Sequence, residues 1–166
     1  MMIVKKREVP LYNEVLEALM RRLLHEHPSR KIISESLARR LAGFKGEQAI
    51  DYPLSFLPQM DYLIIHDLRL FVQGHYFQID TLILNQRFFV ILEVKNFTGT
   101  LFFDSEFNQL IRILNGKEEA FPDPILQLKR QHYQLTSWFK HQSFKTPPIH
   151  SFVVISAPRT LLKTSP

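Results

Sequence analysis

The chain has 166 residues, with 21 basic and 16 acidic side chains, seven histidines and no cysteine. That length suits one domain with its own core, and the lack of cysteine excludes disulfides, thiolate metal sites and a thiol nucleophile. The net charge of +5 and the pI of about 9.6 mildly favour a polyanionic partner, and no run of about twenty apolar residues is present to form a membrane-spanning helix.

The opening MMIVKKREVP lacks the long apolar core of a signal peptide. Together with the missing cysteine, this fits a cytoplasmic protein. Leu11 to Leu24 predicts an amphipathic helix, with Leu16, Leu19, Met20, Leu23 and Leu24 on its apolar stripe. Pro28 breaks the chain after His25-Glu26-His27. A second helix is expected from about Ser29 to Leu41, with Ile33, Leu37 and Leu41 as its stripe and Ala42-Gly43 as its end. Residues 1–44 thus read as an N-terminal helical extension. Its many Arg and Lys are a solvated face on the plainer reading and an arm gripping DNA backbone on the sharper one. Gly46-Glu47-Gln48 opens a third helical stretch to about Leu57, which Pro53 should kink or restart.

Tyr62 to Leu70 reads as a strand. His75 to Phe97 (HYFQIDTLILNQRFFVILEVKNF) reads as two apolar strands joined by a tight turn. Both are apolar on both faces, which predicts a sheet covered on both sides. Thr100 to Phe103 and Asn108 to Leu114 are further short strands, and Asn115-Gly116 is a turn signal. Asp123 is placed to cap a helix that Pro124 begins and that runs to about His141. Leu128, Leu135 and Trp138 form its core side. Pro147-Pro148 then leads into a strand from Ile149 to Ser156. The chain stops shortly afterwards, as a fragment of a longer protein would.

Four polar side chains sit in the central hairpin: Gln78, Asp80, Glu93 and Lys95. Charge buried in an apolar sheet costs several kcal/mol, roughly, unless it is paired or bound to metal. A two-residue turn centred on Gln86-Arg87 sets Asp80 opposite Glu93 and Gln78 opposite Lys95, all on one face. A three-residue turn would shift the register and separate them, and Gln-Arg is not a favoured two-residue turn. Carboxylates that face each other repel unless a cation or a proton lies between them.

Asp80 followed by Glu93-Val94-Lys95 matches the pattern of the PD-(D/E)xK phosphodiesterases. Phosphodiester hydrolysis needs a hydroxide nucleophile and neutralisation of the charge that builds on phosphorus. Hard carboxylate oxygens hold Mg²⁺, which lowers the pKa of bound water and acts as a Lewis acid. Lys95 would position that water or offset phosphate charge, and the Val94 carbonyl is a further candidate ligand. The plainer readings stand beside these. Glu93 and Lys95 make an ordinary salt bridge, Glu47 is a first-turn helix acid, and Gln127 is an exposed glutamine. His66 and His75 are strand-end histidines, and His25 and His27 face solvent. With five glycines and no Gly-rich phosphate loop, ATP use is not expected.

Several segments together resemble the nuclease-related domain (NERD) family. They are Gly46-Glu47, Gln78-Ile79-Asp80, Ile91-Leu92-Glu93-Val94-Lys95-Asn96, Gly99 and Pro124-Ile125-Leu126-Gln127. The likeness spans about Lys45 to Ser156. It implies an α/β restriction-endonuclease-like core, a central mixed sheet flanked by helices, occupying residues 45–166. It also implies a bacterial protein that processes or repairs DNA, dependent on Mg²⁺ or Mn²⁺. In some relatives the domain is joined to further modules. Residue by residue, Asp80, Glu93 and Glu47 match metal carboxylates, Lys95 the catalytic lysine and Gln127 a helix glutamine at the site. Gln127, Arg130 and Gln134 share a helix face that would meet phosphate, with Gln78 as a further nucleic-acid contact. The alternatives are a catalytically inactive DNA-binding module of the same fold, or a protein-interaction domain.

Overall fold

A computed structural model describes residues 2–58 and 60–165, so Met1 and Pro166, the outer ends of the two expected segments, lie outside the described residues. The chain opens on a short strand, β1 (Met2–Lys5). Helices α1 (Leu11–Arg22) and α2 (Arg30–Gln48) and the single turn α3 (Asp51–Leu54) follow. Strands β2 (Leu63–Val72), β3 (His75–Leu84) and β4 (Phe89–Lys95) form one meander. Strands β5 (Thr100–Asp104), β6 (Gln109–Leu114) and β7 (Lys117–Pro122) form another. Helix α4 (Pro124–His141) then leads to β8 (Ile149–Ile155) and β9 (Leu161–Thr164).

The strands make two sheets, ordered β1-β2-β3-β4-β8 and β7-β6-β5-β9. The first is mixed: β1 runs parallel to β2 and β8 parallel to β4, while β2, β3 and β4 are antiparallel. Turn chemistry explains two of the hairpins. Gln73-Gly74 and Asn115-Gly116 have positive φ at both positions, the backbone that two-residue hairpin turns favour. The central hairpin keeps the register of a turn at Gln86-Arg87, pairing Leu84 with Phe89 and Thr81 with Leu92. Neither turn residue has positive φ. Instead the Asn85 side chain accepts the Arg87 N–H at 2.9 Å, a local bond that makes an unfavoured dipeptide serviceable.

The core lies between this sheet and α4. Leu82, Ile91, Ile79 and Phe77 pack there against Leu128 and Leu135, with Trp138 partly buried beside them. Leu82 and Leu84 are even-numbered, whereas Phe77 and Ile79 are odd. The apolar parity of β3 therefore switches near Asp80. The same switch occurs in β2, between Ile65 and Leu68, where Asp67 adopts φ 49°. Both strands switch together, so their pairing is the same on either side. The α4 N-terminus forms as expected: Asp123 accepts the Ile125 N–H at 2.8 Å, with Pro124 in the first turn.

Three expectations need correction. Helix α2 does not end at Ala42-Gly43 but continues to Gln48. One exposed glycine costs a helix only about 1 kcal/mol, and continuing carries Gly46 into close contact with Asn96 and Ser156. Leu19 and Leu24 do not complete the α1 stripe; α1 stops at Arg22, and Leu24 is 80% exposed. Strands β1, β7 and β9, which the apolar patterning does not mark, are short and sit mostly at sheet edges. The architecture is α/β, mixed sheets flanked by helices, consistent with a restriction-endonuclease-like fold. Among the described residues no helix is long and apolar enough to cross a membrane.

Candidate active site

The site lies where β3 and β4 part below the Thr81–Leu92 pair. Glu93 follows Ile91 on the α4 side of the sheet and is 2% exposed. Lys95, two residues further along the same face, donates to Glu93 Oε1 at 2.7 Å and to Gln127 Oε1 at 3.1 Å. Gln131, one turn beyond Gln127 on α4, donates to the other Glu93 oxygen at 2.8 Å and to the Gln78 carbonyl at 3.2 Å. Both carboxylate oxygens are thus oriented by named donors. Asp80 accepts the Val94 N–H at 3.3 Å. Burial, then repulsion from Glu93 and from Glu47, pushes its carboxyl up to about 7, against the pull of Lys95.

The opposite side of the sheet carries a second group of charges. His66 and Thr81 pair across β2 and β3 and alternate away from Ile65 and Leu82, which face α4. Above them lies Arg7, delivered by the segment after β1, with its side chain only 3% exposed. Arg7 donates to Glu47 Oε2 at 2.7 Å, to His66 Nδ1 at 3.0 Å and to Thr81 Oγ1 at 3.1 Å. Asp51 and Asp67 approach the same guanidinium at 3.6 and 3.9 Å. An arginine only donates, so His66 Nδ1 accepts and the ring proton sits on Nε2, which faces Asp51 at 3.7 Å. Burial, with Arg7 beside it, lowers the His66 pKa and keeps the ring neutral. Burial raises Glu47 above the usual carboxylate range, although Arg7 opposes this.

Of the residues singled out in the sequence, Asp80, Glu93, Lys95 and Gln127 come together directly. Glu47 borders them from α2, with its carboxylate bonded to Arg7. Gln78 is corrected. Alternation does not carry it onto the Lys95 face, because the parity switch intervenes. It offers its backbone carbonyl to the site while its side chain is exposed. Arg130 and Gln134 are also not on the Gln127 contact; with Lys129, Tyr133 and His75 they line a neighbouring groove of about 620 Å³. His66 is not a strand-end histidine but a mid-strand residue 2% exposed. Sequence reasoning missed Arg7, His66, Thr81 and Gln131. Only Gln131 carried a signal, its i+4 spacing from Gln127.

The donor set fits a hard divalent cation. Glu93 is a buried acceptor and Asp80 a half-buried one, and a cation would relieve their mutual repulsion. Among the described residues no three His, Asp or Glu side chains converge as a ready-made ligand set. Two carboxylates suffice for Mg²⁺, which keeps several of its waters. In comparisons with known proteins, a family model described as nuclease-related domain matches residues 42–156. No curated protein and no solved structure matches the chain. The match spans more than half of the sequence and contains Glu47, Asp80, Glu93, Lys95 and Gln127, so the chain belongs to the nuclease-related domain family.

Proposed function

We propose that this chain is a metal-dependent nuclease domain that hydrolyses phosphodiester bonds in DNA, in a bacterial DNA-processing or repair setting. The observation that carries the reading is the Asp80–Glu93–Lys95 arrangement: a buried and a half-buried carboxylate and an ammonium at the end of two strands, with both Glu93 oxygens fixed by hydrogen bonds. Asp80 and Glu93 would hold Mg²⁺ or Mn²⁺, with the Val94 carbonyl as a further ligand. When bound, the ion supplies a water of lowered pKa and Lewis-acid stabilisation of the phosphate.

The chain's own residues do the rest. Gln131 holds Glu93 in place. Gln127 and Glu93 hold the Lys95 ammonium beside the reacting position, where it orients a water or meets charge growing on phosphate. Lys129 and Arg130, on the adjoining groove, are suited to phosphates flanking the scissile one, and Gln78 and Gln134 to polar contacts along the strand. The test is cleavage of several DNA forms in Mg²⁺ and in Mn²⁺. Asp80→Ala, Glu93→Ala and Lys95→Ala are each expected to lower the rate by about a hundredfold or more. Equal activity in wild type and all three variants would end this reading. Salt-dependent DNA binding without cleavage would leave a non-catalytic binding module.

A further inference from the structure

We propose that the groove lined by α4 and the β2–β3 turn holds an unpaired nucleotide stacked on Tyr133, so that the substrate is DNA with a single-stranded segment. The proposal rests on the DNA-cleavage reading above and deepens it to a substrate class.

Three observations carry it. First, the groove and the site share α4 and β3. On α4, Gln127 and Gln131 bond to Lys95 and Glu93, while Leu126, Arg130, Tyr133, Gln134 and Ser137 line the groove. Spacings of three and four residues place the two sets on neighbouring stripes of one helix. Val72, Gln73 and His75 line the groove from the β2–β3 hairpin. His75 lies on β3, and three residues later Gln78 offers its carbonyl to Gln131. From His75 to Asp80 is about 17 Å at the rise of an extended strand, a short length of nucleic acid.

Second, the lining suits a base. Val72, Pro122 and Leu126 supply apolar surface beside the Tyr133 ring, which is 67% exposed. Among the described residues that ring stacks on no other ring. Such a ring stacks on any base, because every base has a π-face. The volume of about 620 Å³ lies in the range of small-ligand pockets, about 300–1,000 Å³. In a duplex, neighbouring bases cover both faces, so a base enters a pocket only once it leaves the stack.

Third, the charge suits the phosphates joined to that base. Lys129 and Arg130 line the groove, and neither forms an ion pair among the described residues. Asp123, the one acid on the lining, accepts the Ile125 N–H as the α4 cap. An apolar peptide would leave the two cations unanswered, and an intact duplex would leave Tyr133 unfilled. A single strand answers both.

The experiment is fluorescence anisotropy of the full chain in a chelator, where neither metal nor cleavage contributes. The probes are a labelled oligothymidylate, a blunt duplex of the same length and an abasic strand. Wild type should bind the oligothymidylate about tenfold or more tightly than either of the others. Tyr133→Ala should lose about tenfold on the oligothymidylate and stay within about twofold on the duplex, while Tyr133→Phe stays near wild type. Arg130→Gln should lower the slope of log affinity against log salt by about 0.7. Wild type should also quench 2-aminopurine placed in the strand, and Tyr133→Ala should not. Equal affinity for the three probes, binding to none of them, or unchanged single-strand affinity in Tyr133→Ala would each overturn the proposal. Failure of the nuclease reading is a separate result: no Asp80-dependent cleavage in Mn²⁺ by a chain that still prefers and stacks the single strand removes the catalysis and keeps the groove.

Discussion

Asp80 ties the chemistry of the site to the stability of the fold. An unperturbed aspartate titrates near 3.8, whereas burial and the nearby carboxylates raise folded Asp80 to about 7. Between those values the folded chain holds a proton that the unfolded chain has released, so stability falls as pH rises through the window and the loss is complete above it. In the presence of a chelator, the melting temperature should therefore drop between about pH 5 and pH 7.5. Asp80→Asn should flatten that slope and melt higher than wild type at pH 8. A parallel pH profile in the variant would show that Asp80 is not the group responsible. Gln131 makes a second prediction at this scale. It orients Glu93 without belonging to the acidic pattern, so Gln131→Leu should weaken Mn²⁺ binding about tenfold or more while the chain stays folded, as the loss of a partner behind a ligand does. Unchanged affinity would reduce Gln131 to packing.

Among the elements, α2 is placed by its contact with the end of β4. A Cβ at Gly46 would come within 2.2 Å of the Asn96 Cβ, and Asn96 in turn donates to the Ala42 carbonyl at 2.7 Å. Gly46→Ala should cost about 1–3 kcal/mol, the usual range for overpacking, read as a lower urea midpoint. A neutral result would mean that α2 can slide on the sheet. Asp123→Ala should cost about 1 kcal/mol through loss of the α4 cap. The residues that fix these elements differ in how well they show in sequence. The β3–β4 register and the α4 start were readable, because turn length and Asp-Pro chemistry act over a few neighbours. The run of α2 through Gly43 was not, because a distant contact at Asn96 outweighs a local glycine. Nor was the parity switch at Asp67 and Asp80, since a reading that assumes strict alternation carries Gln78 onto the wrong face.

For the molecule as a whole, the N-terminal extension packs its Arg7 side chain against Glu47, His66 and Thr81 of the matched domain. Helix α2 crosses the expected boundary near residue 44 without a break, and Arg7 reaches residues 40 to 74 positions away. The clustering of Asp80, Glu93 and Lys95 was legible because they lie on one hairpin, where spacing and register are local. The Arg7 group on the opposite side of the sheet was not: no periodicity or motif joins Arg7 to His66 and Thr81, and only the folded sheet brings them together. The central claim is that Asp80 and Glu93 form the metal-binding heart of a nuclease. Anomalous diffraction from crystals soaked in Mn²⁺ tests it most directly. One peak is expected, about 2.1 Å from oxygens of both Asp80 and Glu93. No peak there, or one held by Glu47, Asp51 and Asp67 instead, would contradict it.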